Sequence, residues 1–222
     1  MQQKLFFICL MLLGGTAWAQ KTNATTSGEI MYHVCQRSFY DSDGDLQGDL
    51  NGLRQKLPYL QDLGVSSILL FPLYESDCYH NYFANNFETI DPEFGSMQAY
   101  IELVQEINRR GMKVYLDMET QYVTSKHLWW QDAVGNLNSP YANYILFDDA
   151  AHLQPATMVF DLRFLKGYDG QIINVTTVNL KSPKVLDYNI ALFSYFLDPN
   201  KDGKFDDGVD GFRLDHAMDH LD

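Results

Sequence analysis

The sequence predicts a parallel α/β sheet covered by helices on both faces. Three observations predict it. Short, nearly continuous apolar runs rich in β-branched residues recur along the chain, amphipathic helical periods lie between them, and the order strand then helix repeats.

Residues 30–39 form the first β-prone run. Asp49 then stands where a helix cap is needed, and Leu50, Leu53, Leu57, Leu60 and Leu63 fall on one helical face that Gly64 closes. Residues 65–74, with Ile68, Leu69, Leu70 and Phe71 in succession, read as a strand buried on both sides. Ser96 caps a second helix with Met97, Ile101, Val104 and Ile107 inward. Its last turn carries Arg109 and Arg110, where the helix dipole favours cations, before Gly111. Residues 112–118 make the third strand, Ser182-Pro183 opens a helix running to Leu197, and residues 209–214 make the fourth strand. One stretch breaks this rhythm. Residues 120–181 are too many for a structureless connection in a compact domain, so they predict a folded excursion with β-prone pieces at 144–147, 158–165 and 172–180.

Composition narrows the function classes. The 222 residues hold 29 acidic against 16 basic side chains, a net charge of −13, with 46% hydrophobic residues. That is globular rather than disordered composition, and it lacks the basic face that phosphate neutralisation requires, so nucleic acid is excluded as a general partner. Neutral molecules or cations remain. Lys4, the apolar run 5–13 and Ala17-Trp18-Ala19 before Gln20 read as a secretory signal over residues 1–19, cleaved after Ala19. The run is too short to span a bilayer, and no later one replaces it, so a secreted or periplasmic protein is expected. Cys9 lies inside the run, and Cys35 and Cys78 read as two buried free thiols rather than a disulfide framework. Asn23-Ala24-Thr25 and Asn174-Val175-Thr176 fit a glycosylation pattern that is frequent by chance.

The chemistry-bearing motifs lie beside these elements. Asp41, Asp43, Asp45 and Asp49, with Gly44 allowing a tight turn and the Gln47 carbonyl as a further donor, can wrap oxygens around one hard cation. The spacing is that of the first part of an EF-hand loop without its closing bidentate Glu; a solvated acidic loop is the competing reading. Asp198, Asn200, Asp202, Lys204 and Asp206 repeat the pattern with diluted charge, as a weaker second site. Calcium is expected over zinc, since no His or Cys cluster stands near. Parallel α/β sheets present their sites at the C-terminal ends of strands, and those ends supply His80 and Tyr82, then Asp117 and Glu119, then Arg213, Asp215 and His216. Strand alternation puts Arg213 and Asp215 on one face, where the guanidinium can hold the carboxylate ionised and aimed. Such a carboxylate serves as a nucleophile or as an electrostatic partner for a cationic sugar transition state, although Arg-x-Asp alone is as readily a structural ion pair.

Taken in order, RSFYDSDGDLQGDLNGL, LPYLQDLGVSSILLFPLYES, YHNYFANNFETIDPEFGS, INRRGMKVYLDME, VNLKSPKV and GVDGFRLDH resemble the α-amylase family of glycoside hydrolases, family 13, over the chain from about Ile30. The resemblance implies a (β/α)8 TIM barrel with a domain B inserted after the third strand. On that reading residues 28–119 begin the barrel, 120–181 are the domain B-like insertion, and 182–222 continue the barrel through its fourth strand. It implies α-glucan or oligosaccharide substrates and a retaining double displacement. Residue by residue, Asp215 resembles the nucleophile and Arg213 the partner that orients it. Tyr82 resembles the aromatic that stacks on the sugar ring, with His80 beside it, and Asp117 resembles the acid that braces the Arg. His216 falls in the same substrate-binding set, and Asp41, Asp43, Asp45, Gln47 and Asp49 resemble a calcium loop of the oligoglucosidase branch.

The chain also departs from the family. Gln121 and Tyr122 stand where an Asn and a His are usual, and Met218 and Asp219 replace a Lys-His pair. His127, Leu128, Trp129 and Trp130 keep an aromatic region that either stacks on glucose or packs the insertion. A complete barrel takes about 250 residues before insertions, and the family's general acid and second essential Asp belong to strands beyond the fourth. The resemblance therefore predicts a fragment that is inactive alone. A non-catalytic carbohydrate-binding or structural relative is the alternative, and a secreted calcium-binding module explains the loops but not the strand-end acids.

Overall fold

The computed structural model describes residues 28–158, 161–167 and 169–216. The signal over residues 1–19, Cys9, the Asn23 pattern, and Met218 and Asp219 lie outside the described residues. Strand β1 (Met31–Val34) leads through a 3-10 turn (Gln36–Ser38) and the acidic loop to helix α1 (Leu50–Asp62). Strand β2 (Ser67–Leu70) follows, then a hairpin of β3 (Tyr74–Glu75) and β4 (Asn86–Ile90), helix α2 (Met97–Arg109) and strand β5 (Lys113–Met118). The excursion holds β6 (Tyr122–Thr124), helix α3 (Leu128–Ala133), β7 (Phe164–Lys166) and β8 (Ile172–Thr177), before helix α4 (Pro183–Leu197) and strand β9 (Gly211–Leu214).

Four strands make one parallel sheet in the order β1-β2-β5-β9. The strand order never reverses, so right-handed crossovers place every intervening helix on the same side. Val34, Ile68, Leu70, Val114 and Leu116 accordingly join Leu53, Leu57, Leu60, Leu103, Val104, Ile107, Val185 and Phe196 in one hydrophobic core. Alternation then turns His33, Tyr115, Asp117 and Arg213 to the other face. Helices on both faces were expected; among the described residues one face is covered and the other is open. His33 and Arg213 keep 38% and 47% of their side chains exposed on it. A sheet with helices on a single side curls toward closure, which is barrel geometry rather than doubly wound geometry.

Local chemistry sets the helix ends. Asp49 caps α1, accepting the Gly52 N–H at 2.7 Å, and Ser96 caps α2, accepting the Ala99 N–H at 3.2 Å. Arg109 and Arg110 reach back to Glu106 at 2.5 and 2.8 Å, and Gly111, at φ +71°, ends the run. Ser182 precedes α4 without a side-chain cap, so the start there is set by Pro183 at the first turn. Tyr100 ties three elements together: its hydroxyl donates to the Phe196 carbonyl at the end of α4 and accepts the Val209 N–H ahead of β9.

The excursion folds as the antiparallel sheet β6-β8-β7 with α3 beside it. Of the β-prone pieces, 172–180 becomes β8, 158–165 contributes the start of β7, and 144–147 makes only isolated bridges. Trp129 is buried against Phe87, His127, Tyr144 and Tyr188, so it packs the excursion onto the hairpin instead of presenting a face to a sugar. The two described cysteines, Cys35 and Cys78, are free thiols. Cys78 is buried, which pushes its thiol up to about 11, while Cys35 is only half-buried, against the expectation for it.

Candidate active site

Parallel pairing brings the C-terminal ends of β1, β2, β5 and β9 to one edge, and the register does the rest. Asp117 and Arg213 are direct partners across β5 and β9. Arg213 Nη1 lies 2.7 Å from Asp117 Oδ2 and 3.2 Å from Asp215 Oδ2, so one guanidinium nitrogen serves both carboxylates. Hydrogen bonding to Asp117, reinforced by both negative charges, raises the Arg213 pKa further. Asp117 is fully buried and also accepts the Tyr82 hydroxyl at 2.7 Å, with His33 Nε2 at 3.4 Å. Asp215 remains partly exposed, at 24%. Its Oδ1 accepts the His216 N–H at 2.8 Å, and its own N–H donates to the Met118 carbonyl, which pins the residue to the end of β5.

Aromatic rings wall this pocket edge. Tyr82 lies between Phe71 and His80, at ring-centroid distances of 5.7 and 5.3 Å, and burial with the adjacent Asp117 pushes its hydroxyl pKa upward. His80 Nδ1 accepts the Tyr82 N–H at 3.1 Å. Burial lowers the His80 pKa, and the neighbouring His216 adds to the effect, so the ring is neutral and its Nε2 carries the hydrogen. His216 turns away from open solvent toward Glu119, its Nδ1 bonded to Glu119 Oε2 and its ring edge-on to Tyr122 at 5.3 Å.

The structure thus gathers Asp215, Arg213, Asp117, Tyr82, His80 and His216 into one cluster. Reading by residue type gave no role to Glu119, seen only as a strand-end acid, and passed over His33. Glu119 is fully buried between Asp117 and Asp215, and burial first, then those two charges, raises its carboxyl to about 8. His33 approaches Asp117 from β1. Alternation alone places His33 on the face of Asp117, and that was the available signal. Behind the cluster, Arg37 is buried against Asn81 and Asp91 at 3.2 and 3.4 Å and bonds Glu93 and Gln47, so it anchors the loop that carries His80.

The two acidic loops differ. Ligand atoms of Asp41, Asp43 and Asp49 lie within 4.8 Å of one another, a spacing that fits one hard cation. Asp41 accepts the N–H groups of Gly44 and Leu46 at 2.7 and 2.9 Å, which hold its carboxyl below the usual range. Asp49 is shared with the α1 cap and with Ser42. Asp45 and Gln47 stand outside the three-carboxylate group; the Gln47 side chain bonds Arg37. Among the described residues the second loop gathers no such group. Lys204 donates to Asp202 through its ammonium at 3.1 Å, occupying a carboxylate a cation would need. Asp198 and Asn200 are turned to the N–H groups of Asp202 and Gly203, and the buried acid there is Asp207 rather than the exposed Asp206.

Residues 33–221 match the family described as "Alpha amylase, catalytic domain". The chain is 32% identical over 85% of its length to Alpha-amylase 3 of Dictyoglomus thermophilum, covering 36% of that protein. It is 37% identical over 60% of its length to Alpha-amylase SusG of Bacteroides thetaiotaomicron, covering 19% of it. Among solved structures it is similar to an alpha-amylase from H. orenii, with a TM-score of 0.68, 31% identity and coverage of 85% of this chain and 40% of that one. It is similar also to an isomaltulose synthase from Klebsiella sp. LX3, at a TM-score of 0.69 and 28% identity, over 84% and 34% of the respective chains. The chain spans 36% of the length of the first of these curated relatives and 19% of the second.

Proposed function

The chain belongs to the α-amylase family of glycoside hydrolases, and from that premise we propose that it forms the nucleophile-bearing part of an enzyme hydrolysing α-glucosidic bonds in starch-like glucans with retention. The observation that carries the reading is the partly exposed Asp215 held by Arg213, itself fixed to buried Asp117. In this mechanism a carboxylate oxygen of Asp215 attacks the anomeric carbon as the bond to the leaving oxygen breaks. That oxygen takes a proton from an acid supplied by the rest of the enzyme, and water then cleaves the glycosyl ester. Arg213 orients Asp215, Tyr82 stacks on the sugar, and His80 donates through Nε2 to a sugar hydroxyl. Four strands of the barrel lie in this chain, residues 120–181 are its domain B, and the segment hydrolyses no glucan by itself.

Calcium fits the first loop, where Asp41, Asp43 and Asp49 would hold it, neutralising clustered charge and stiffening the approach to α1. Asp45 and the Gln47 carbonyl complete the proposed set, and the mature protein is exported after cleavage at Ala19. The test is covalent trapping: the complete enzyme is incubated with a fluorinated α-glucosyl substrate that stalls deglycosylation, digested, and read by mass spectrometry. The label is expected on the peptide containing Asp215. Label on another residue, during normal turnover of the unmodified substrate, would overturn the assignment.

A further inference from the structure

Beyond the family's attacking carboxylate and its Arg, Glu119 is buried in the same cluster with no part in the chemistry above. We infer that Glu119 is a positioning residue: through the His216 ring it fixes the backbone amide that aims the Asp215 carboxylate. This rests on Asp215 being the nucleophile.

A chain of contacts carries it. Glu119 Oε2 meets His216 Nδ1, and Glu119 Oε1 accepts the Gln121 N–H, so the carboxyl is held at both oxygens. The Glu119 backbone is held too, its carbonyl accepting and its N–H donating to the Tyr74 hydroxyl at 2.8 and 3.3 Å. His216 sits at φ +47°, a left-handed backbone that L residues seldom adopt, and in that conformation its N–H reaches Asp215 Oδ1 at 2.8 Å. A residue held in such a conformation needs an anchor, and the ring bond to Glu119, with Tyr122 packed edge-on behind it, is that anchor.

Charge gives the arrangement a pH dependence. Among the described residues, Asp117 from β5, Arg213 from β9, Asp215 and His216 just beyond it, Tyr74 from β3, His80 and Tyr82 from the following loop, Tyr122 from β6, and His33 from β1 are the titratable groups around this cluster. Burial opposes a charge at Glu119 first, and Asp215 and Asp117, which already outnumber the single guanidinium of Arg213, oppose it further, so its carboxyl stays protonated up to about 8. Below that pH the neutral Glu119 carboxyl keeps its hydrogen bond to His216 Nδ1 without adding a charge beside Asp215. Above it the proton is lost, an unbalanced charge faces Asp215, and the glycosyl-transfer step weakens.

The test uses the complete enzyme and an aryl α-maltoside, with Glu119→Gln, Glu119→Ala, His216→Ala and Asp215→Asn. Glu119→Gln keeps shape and a donor, and is expected to retain kcat within about threefold at pH 6 while its alkaline limb moves up by a pH unit or more. Glu119→Ala and His216→Ala are expected to lower kcat about 10- to 100-fold with KM changed less than threefold, and Gln at 119 rescues the Ala loss. An alkaline limb in Glu119→Gln that superimposes on the parent's, or an Ala variant with unchanged kcat, overturns the inference. Asp215→Asn separates the two levels: if it stays active the nucleophile reading itself fails, and if it is dead while the Glu119 variants behave as the parent, only the positioning role fails.

Discussion

Arg213 has more acids around it than it can neutralise, and that imbalance governs the cluster residue by residue. Asp117 is fully buried, and its Oδ2 accepts from both the guanidinium and the Tyr82 hydroxyl, while Asp215 keeps solvent access. Glu119 receives what remains, and its carboxyl is raised to about 8 by burial and by its two acidic neighbours. The stability consequence has a definite sign. Between the ordinary Glu value of about 4.3 and 8, the unfolded chain has released this proton and the native chain still holds it, so stability falls as pH rises through that window and levels off above it. Glu119→Gln has no such proton. Urea titrations of the complete enzyme from pH 5 to 8 are therefore expected to show the Gln variant gaining on the parent with rising pH, by a few kcal/mol at most. Parallel curves would mean that Glu119 ionises normally. From the sequence, Arg213 and Asp215 were legible because a period of two places them on one face, whereas Glu119 was visible only as one more strand-end acid. Its importance comes from burial beside Asp117 and Asp215, a tertiary fact that no local spacing encodes.

At the scale of elements, what was legible is what local chemistry decides. Asp49 and Ser96 cap the helices assigned to them, and the Leu face of α1 is buried at Leu50, Leu53, Leu57 and Leu60. The β3–β4 hairpin was not legible, since β3 is Tyr74 and Glu75 alone and the register shifts between them. Nor was α3, six residues capped by His127, which is shorter than any periodicity can reveal. The acidic loops show the same limit: both have alternating carboxylates in sequence, but only the first is folded so that three converge. That difference is testable. Calcium added to the complete enzyme is expected to raise its Tm by several degrees, with the rise lost in Asp43→Ala and kept in Asp202→Ala. A Tm rise that survives Asp43→Ala, or vanishes in Asp202→Ala, would transfer the site to the second loop.

For the molecule as a whole, the sheet is the decisive feature. Its outer strands β1 and β9 each pair on one side only among the described residues, and Leu214 beside that edge is 56% exposed. Helix α4 adds Leu186 and Ile190 at 57% and 59%, and the loop beyond it Phe205 at 69%. Open strand edges beside apolar surface are templates for self-association. Against this acts a net charge of −13, which keeps copies apart at low ionic strength and is screened over about 10 Å at 0.1 M salt. The two effects together predict a salt-dependent outcome for residues 20–222 expressed without the signal. At low salt it is expected to stay dispersed, bind a hydrophobic dye and melt without a cooperative transition, and with added salt to aggregate, as followed by light scattering. Release of reducing sugar from starch should stay at background throughout, since the proton donor of the proposed mechanism belongs to the rest of the enzyme. A sharp, salt-independent melting transition accompanied by starch hydrolysis would show instead that these strands close a working site unaided.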